Sequence, residues 1–226
     1  MHLPSWQTDQ LFDLSRTPYG TWLASFVYPW EALPKIKEFI LQQGPKLDPA
    51  TYEEREPQIW IAKSAKIHPS ANIAAPCIIG ERCELRPGAY LRGAILVGND
   101  CVLGNSCEFK NCILLEHVQV PHFSYVGDSI LGNDVHFGAG VITSNFRQDK
   151  AHIRIHFAEE EDVDTQLRKI GAIVGDGCEI GCQAVLNPGS MIGRGSRVYP
   201  LTQTRRALPA QSILKNDGSV HSMLTK

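Results

Sequence analysis

Residues 61–109 read IAKSAKIHPSANIAAPCIIGERCELRPGAYLRGAILVGNDCVLGNSCEF, and their spacing decides the fold. An aliphatic or aromatic residue returns at every sixth position: Ile61, Ile67, Ile73, Ile79, Leu85, Leu91, Val97, Leu103 and Phe109. Four residues after each stands a small or apolar one: Ala65, Ala71, Cys77, Cys83, Ala89, Ile95, Cys101, Cys107 and Ile113. A helix repeats near 3.6 residues and a strand at 2, so neither yields a period of six. A fixed six-residue register is the mark of a parallel β-helix. Each unit makes a short strand and a corner, and three units close a coil of about eighteen residues. Coils stack at roughly 4.8 Å.

The register then loosens. Leu115 and Pro121 keep it approximately, Val126 to Leu131 is a step of five, and Phe137 follows at six. After a break over 143–169 it resumes at Val174, Ile180, Leu186, Ile192 and Val198. Glycine follows the apolar residue at Gly80, Gly98, Gly104, Gly132, Gly138, Gly175, Gly181 and Gly193, which suits close backbone packing. The fold class is therefore all-β, a left-handed parallel β-helix with a small N-terminal helical cap.

Three segments follow. Residues 1–56 hold a helical turn around Leu11, Phe12 and Leu14. A helix then runs from Trp30 to Gln43, with Trp30, Leu33, Ile36, Phe39 and Ile40 on one stripe and Gly44-Pro45 stopping it. Their expected place is over the open end of the solenoid, whose last coil exposes an unpaired edge. Residues 57–201 form the β-helix, with an inserted loop at 143–169. In that insertion His152 to Phe157 alternates polar and apolar, like a strand, and Glu159 to Asp162 is an acidic run. Residues 202–226 are a tail in which Asn216-Asp217-Gly218 turns a hairpin between Ile213-Leu214 and Val220-His221.

The chain has 226 residues, 43% hydrophobic and 20% charged, with a net charge of -2. That balance fits a soluble globular protein and gives no basic surface for nucleic acid. No apolar run is long enough for a membrane span, and Met1 opens no recognisable leader. The seven cysteines read as small interior fillers and reduced thiols of a cytoplasmic protein. Cys178 and Cys182 lack a second ligand pair at zinc-finger spacing, so no metal is expected.

On a solenoid, residues eighteen apart share a column. Arg86, Gly104 and His122 fall eighteen apart, with Gly104 leaving an open space between the charged group and the imidazole, roughly 10 Å apart. Arg92 and Lys110 begin the adjacent column. Tyr125 and Asn145 follow in sequence. Convergent cations suit an anionic substrate such as a sugar phosphate, and a histidine titrating near neutrality can take a proton from an amine or hydroxyl.

At these residues the chain resembles a known family. Glu84-Leu85-Arg86-Pro87-Gly88-Ala89, Gly98-Asn99, Glu108-Phe109-Lys110, Pro121 to Asp128 and Gly138 to Asn145 follow the order found in the acetyltransferase domain of the bacterial bifunctional enzyme that makes UDP-N-acetylglucosamine. The likeness covers roughly residues 61–200. It implies an acetyl-CoA-dependent acyltransferase that N-acetylates an amino-sugar phosphate of the glucosamine 1-phosphate kind. By the same resemblance His122 is the general base and Asn145 belongs to the acetyl-transfer site. Arg86 and Lys110 hold phosphate, Tyr125 and His136 hold the sugar, and Cys182 lies where the family binds the cofactor. The resemblance also implies a homotrimer with sites between neighbouring subunits. Three positions depart from the family pattern: Phe146 replaces a tyrosine, His136 an asparagine and Cys182 a serine. No Gly-rich nucleotide loop precedes Ile61, so a uridyltransferase half is not expected. A second expectation is a non-catalytic trimerising or ligand-sensing solenoid that accompanies a separate sugar-phosphate nucleotidyltransferase. A zinc hydratase of the carbonic anhydrase class ranks last, because His117, His122 and His136 lack its histidine spacing.

Overall fold

A computed structural model describes residues 3–157 and 161–223. Met1, where the absence of a leader was expected, Glu159 and Glu160 of the acidic run, and the last three residues lie outside the described residues. The chain winds into a left-handed parallel β-helix with three faces, built on sheets of eight, nine and six strands. In chain order a coil passes from the first face (for example Cys77–Ile79) to the second (Glu84–Leu85) and the third (Tyr90–Leu91), and back to the first (Ile95–Val97). In the lower coils partners lie eighteen apart, as in Ile61↔Ile79 and Ile79↔Val97.

The interior is the expected one up to Phe109. Ile61, Ile79, Leu85, Leu91, Val97, Leu103 and Phe109 are buried there, with Cys77, Cys83, Cys101 and Cys107 among them. Each fully buried aliphatic side chain contributes about 1.5–3 kcal/mol. Several thiols also donate to backbone carbonyls of a neighbouring coil, Cys83 to Gly98 at 3.1 Å and Cys101 to Leu115 at 2.9 Å. Burial pushes the Cys178 thiol up to about 12, so it stays neutral. All seven cysteines are free.

The register changes after Phe109, and here the sequence reading needs correcting. Cys112 pairs with Ile95 and Leu114 with Val97, seventeen apart rather than eighteen. The edge from Phe109 to Leu114 is a step of five, as is the next one from Val126 to Leu131. Leu114 and Val120 therefore fill the interior, whereas Ile113 and Leu115 face outward, and Ile113 is no interior filler. His122 consequently pairs with Asn105, and Gly104 abuts Pro121. Arg86 and His122 stand in neighbouring columns, not one. Gly104 leaves no open space either, because a Cβ there would lie 1.8 Å from the Pro121 carbonyl oxygen.

The N-terminal helices also sit elsewhere than over the open end. Leu3, Trp6, Leu11, Phe12, Leu23, Trp30, Leu33, Ile36 and Ile40 pack on the outward row of the first face, formed by Trp60, Ile78, Leu96, Ile113, Ile130, Ile173 and Met191. The segment is a strap running against the rise of the coils. Trp6 meets Phe157 high on the solenoid, with ring centroids 5.4 Å apart. The Asp13 amide donates to Asp176, Tyr19 donates to the Val97 carbonyl at 3.0 Å, and Gly44 lies against the Trp60 ring at the bottom. The bottom edge of that sheet is covered by Tyr52–Glu56, which pairs antiparallel with Ile59–Ala62.

The insertion springs from a neck at the Phe146↔Lys169 bridge. Across it partners lie 43 residues apart instead of eighteen, so 25 residues are looped out. The alternation expected over His152 to Phe157 is present: Ile153, Ile155 and Phe157 are buried with the strap, and Arg154–Ile155 pairs with Val163–Asp164. The insertion thus lies on the first face. The solenoid does not close near Leu201. A further coil pairs Val198 with Leu214, and the hairpin Ser212–Leu214 with Val220–Ser222 ends it in the expected register.

Gly104→Ala is expected to lower unfolding stability by about 3 kcal/mol, because the neighbour is backbone that cannot move aside. Gly177→Ala, with φ +68° and nothing within 4 Å, is expected to cost only about 1–2 kcal/mol. Urea denaturation of the two variants compares them. Equal losses would show that the coils are not in the contact described.

Candidate active site

The third face carries polar residues along both of its edges. On the edge where the second face turns into the third stand Arg86, His122 and Cys182. Arg86 donates to Glu84 at 3.0 Å. The His122 side chain is exposed, its ring tilted beside Phe123 at a centroid distance of 6.3 Å, and it has no hydrogen-bonding partner among the described residues. Cys182 is exposed, unlike the other six cysteines. The strand register puts it in the His122 column: His122 lies beside Ala139, and Ala139 beside Cys182. Two coil spacings, roughly 10 Å, separate them.

On the opposite edge, where the third face turns into the first, the two shortened corners gather a different group. Asp128, 4% exposed, is its centre. Lys110 Nζ lies 3.2 Å from Asp128 Oδ2, and Asn111 Nδ2 donates to Oδ1 at 2.9 Å. Asn145 Nδ2 donates both to Asp128 Oδ2 at 2.5 Å and to the Tyr125 hydroxyl at 3.1 Å. The carboxylate thus fixes the lysine and both amides, and leaves Asn145 Oδ1 free of those bonds. Burial and then the Asp128 charge push the Tyr125 hydroxyl up, while its bond from Asn145 opposes them, so it remains a neutral donor. Arg92 heads the column below Lys110, as expected, and pairs with Glu108 at 2.6 Å.

The structure therefore brings Lys110, Tyr125 and Asn145 together, and His122 and Cys182 together with Arg86 nearby. One subunit does not bring the two groups to one place. His136 belongs to neither. It projects from the second face and its Nδ1 lies 2.9 Å from Glu179. Asp128 and Asn111 were missed in the sequence. The available signal was the five-residue step at Val126–Leu131, which marks a corner tight enough to turn Asp128 into the left-handed conformation, at φ +47°. Among the described residues no group of three or more His, Cys, Asp or Glu could hold a metal ion. Among the described residues no helix is long and apolar enough to cross a membrane.

Geometry of this kind, a coil of hexads with polar edges, defines the class: the chain is a hexapeptide-repeat solenoid. The family model described as bacterial transferase hexapeptide (six repeats) matches residues 59–93. More particularly, the chain is similar to the bifunctional protein GlmU of Methanococcus vannielii, 38% identical over 110 residues, which are 49% of this chain and 26% of that one. It is also similar to the bifunctional sugar-1-phosphate nucleotidylyltransferase/acetyltransferase of Sulfurisphaera tokodaii, 33% identical over 63% of this chain and 35% of that one. The chain spans about a quarter to a third of the length of these curated relatives. Among solved structures, the acetyltransferase domain of PglB from Neisseria gonorrhoeae, in complex with acetyl coenzyme A, is similar over 72% of this chain and 56% of that one, at 15% identity and a TM-score of 0.36.

Asp128→Ala strands Lys110 and two amides, and is expected to cost about 2 kcal/mol in chemical denaturation, the part-exposed lysine recovering some hydration. Asp128→Asn keeps an acceptor and is expected to cost less. Under native conditions one thiol, that of Cys182, is expected to react with a thiol reagent, and all seven after unfolding. Two or more fast thiols in the native protein would contradict the burial described.

Proposed function

We propose that the chain is an acetyl-CoA-dependent acyltransferase that N-acetylates an amino-sugar phosphate, working as a homotrimer with its sites between subunits. The observation that carries this reading is the division of the polar groups between the two edges of the third face. The first face is covered by the strap. The outward row of the second face is largely polar, with Lys66, Glu84, Gln119, His136, Glu179 and Arg197. The outward row of the third is mixed, with Asn72, Glu108 and Gln203 beside Tyr90, Tyr125, Ile142 and Val185, and Tyr90 is 42% exposed. Three copies turning that uncovered face toward a common axis bring the His122 edge of one subunit against the Lys110 edge of the next. Closed symmetry of this kind gives three equivalent clefts, each with an imidazole on one wall and a lysine on the other. The names of the relatives, bifunctional proteins with a nucleotidylyltransferase and an acetyltransferase, support the substrate class. The seven free thiols fit a reducing, cytoplasmic setting.

In such a cleft Arg86 and Lys110 hold the phosphate, and Tyr125 orients the sugar. His122 accepts a proton from the amino group as nitrogen attacks the thioester carbonyl. The new N–C bond forms, the C–S bond breaks, and CoA leaves as the thiol after taking up a proton. Asn145, held by Asp128 and Tyr125, borders the reacting acetyl group. His136, paired with Glu179 on the second face, reaches substrate only from outside this cleft, and Cys182 borders the donor above His122.

Release of CoA from acetyl-CoA is expected to require glucosamine 1-phosphate or a close relative, and to fall about 10²–10⁴-fold in His122→Ala. His122→Ala and Lys110→Ala, each nearly inactive alone, are expected to recover about a quarter of wild-type activity when unfolded and reassembled together in equal amounts. No recovery on mixing, or a monomer at micromolar concentration in sedimentation, would rule out the shared site. Binding of a sugar nucleotide without turnover on any amino-sugar phosphate would point instead to a sensing solenoid.

A further inference from the structure

A cleft of about 460 Å³ lies low on the solenoid, on the edge where the second face turns into the third. Lys66, His68, Pro69, Glu84, Arg86 and Pro87 line it. Strand register fixes its relation to His122. His68 stands one coil below Arg86, and Pro69 one coil below Pro87. Pro87 lies beside Asn105, and Asn105 beside His122. The two prolines therefore share the His122 column, at two and three coil spacings below it, roughly 10 Å and 14 Å. The short corner after Phe109 puts them there, because coils of constant length would set Arg86 under His122 instead. Cys182 and the donor lie above His122, so an acceptor that is longer than a sugar monophosphate extends downward, into this cleft.

The charges in the cleft do not cancel. Glu84 is the one carboxylate among the lining residues, and it accepts from Arg86 Nε at 3.0 Å. The Lys66 ammonium is exposed and forms no ion pair among the described residues. His68 is held in one orientation: the Ser70 amide and hydroxyl both donate to its Nδ1, at 3.2 and 2.9 Å, and Ser70 Oγ accepts from the Gly88 amide at 3.1 Å. With Nδ1 accepting, the ring proton sits on Nε2, a donor left for a ligand. Ammonium, imidazole and guanidinium donors suit phosphate oxygens. Arg86 serves the first phosphate of the acceptor, and Lys66 and His68 lie beyond it, farther from the base. The cleft is also larger than a phosphate needs, within the range of about 300–1,000 Å³ that holds small organic ligands. Pro69 and Pro87, both exposed and neighbours across the coils, offer an apolar ledge there. Donors for a further phosphate beside an apolar ledge are the complement of a nucleoside diphosphate.

We propose that the acceptor is an amino sugar linked to a nucleoside diphosphate, with Lys66 and His68 holding the phosphate nearer the nucleoside and Pro69 and Pro87 supporting the nucleoside itself. The proposal rests on the acyltransfer reading for the reacting end of the acceptor, but the site can be tested without turnover. The probe is uridine 5′-diphosphate, titrated calorimetrically into the full chain and into K66A/H68A. Wild type is expected to bind it in a salt-sensitive manner and more tightly than pyrophosphate, and K66A/H68A about tenfold or more weakly. In the assay, kcat/KM of wild type for UDP-glucosamine is expected to exceed that for glucosamine 1-phosphate about tenfold or more. K66A/H68A is expected to bring the first value down to the second and to leave the second as in wild type. The native thiol count confirms that the variant is folded. Binding of uridine diphosphate by wild type but not by K66A/H68A, in a protein that turns nothing over, would uphold the site while removing the acyltransfer reading. Equal binding by wild type and K66A/H68A, no binding by either, or pyrophosphate bound as tightly as the nucleotide would overturn the proposal. Equal kcat/KM for the two acceptors in wild type would also overturn it, and would leave the acyltransfer reading standing.

Discussion

The molecule depends on unbroken parallel hydrogen bonding between successive coils around an apolar interior. Every coil must offer the next its amides and carbonyls in register, so side chains cannot wander along the axis. A column becomes a scale with one division per coil. This is why single-residue changes in coil length matter. The two short corners after Phe109 and Val126 keep the backbone ladder intact, and each shifts every residue beyond it by one position. The first of them displaces His122 from the Arg86 column. They also produce the tight turns, with Asn111 and Asp128 both near φ +47°, in which Asp128 accepts from the Lys110, Asn111 and Asn145 side chains.

The second constraint is that one face is hydrophobic on both sides. Three-residue strands such as Cys77–Ile79 put their outer residues into the solenoid and their middle residue, Ile78, outside. That outer row needs a cover, and the strap together with the insertion supplies it. Trp6 and Phe157 join the two parts in one cluster. Because the insertion leaves the solenoid directly after Asn145 and is held by the strap, the edge that bears Asn145 is braced from the first face.

Much of this was legible in the residues. Nine apolar positions at six-residue spacing from Ile61 to Phe109 left little freedom in the fold, and the Asn-Asp-Gly turn gave the terminal hairpin its register. The slip at Phe109 was hidden by the run Cys112-Ile113-Leu114-Leu115, in which either parity looks apolar. The final coil was hidden because Thr204, buried six residues after Val198, occupies the interior position where a hexad would place an aliphatic residue. The helical stripe of Trp30 to Ile40 announces burial, but amphipathicity says nothing about which surface receives it. His122, Lys110 and Asn145 were singled out through charge and resemblance. The split between two edges was not, since it follows from which corner each residue turns, and that required the true coil lengths.

The two strands that run against the rest have a consequence of their own. Tyr52–Glu56 lies antiparallel across the beginning of the first face, carrying Glu53, Glu54, Arg55 and Glu56 in the open. Val220–Ser222 lies antiparallel across the finish of the second. A stack of identical rungs would otherwise invite another molecule to continue it, as fibrils do. Reversed direction at either terminus, with acidic side chains at one of them, denies an incoming copy a matching rung, so the same periodicity that builds the protein is kept from propagating beyond it.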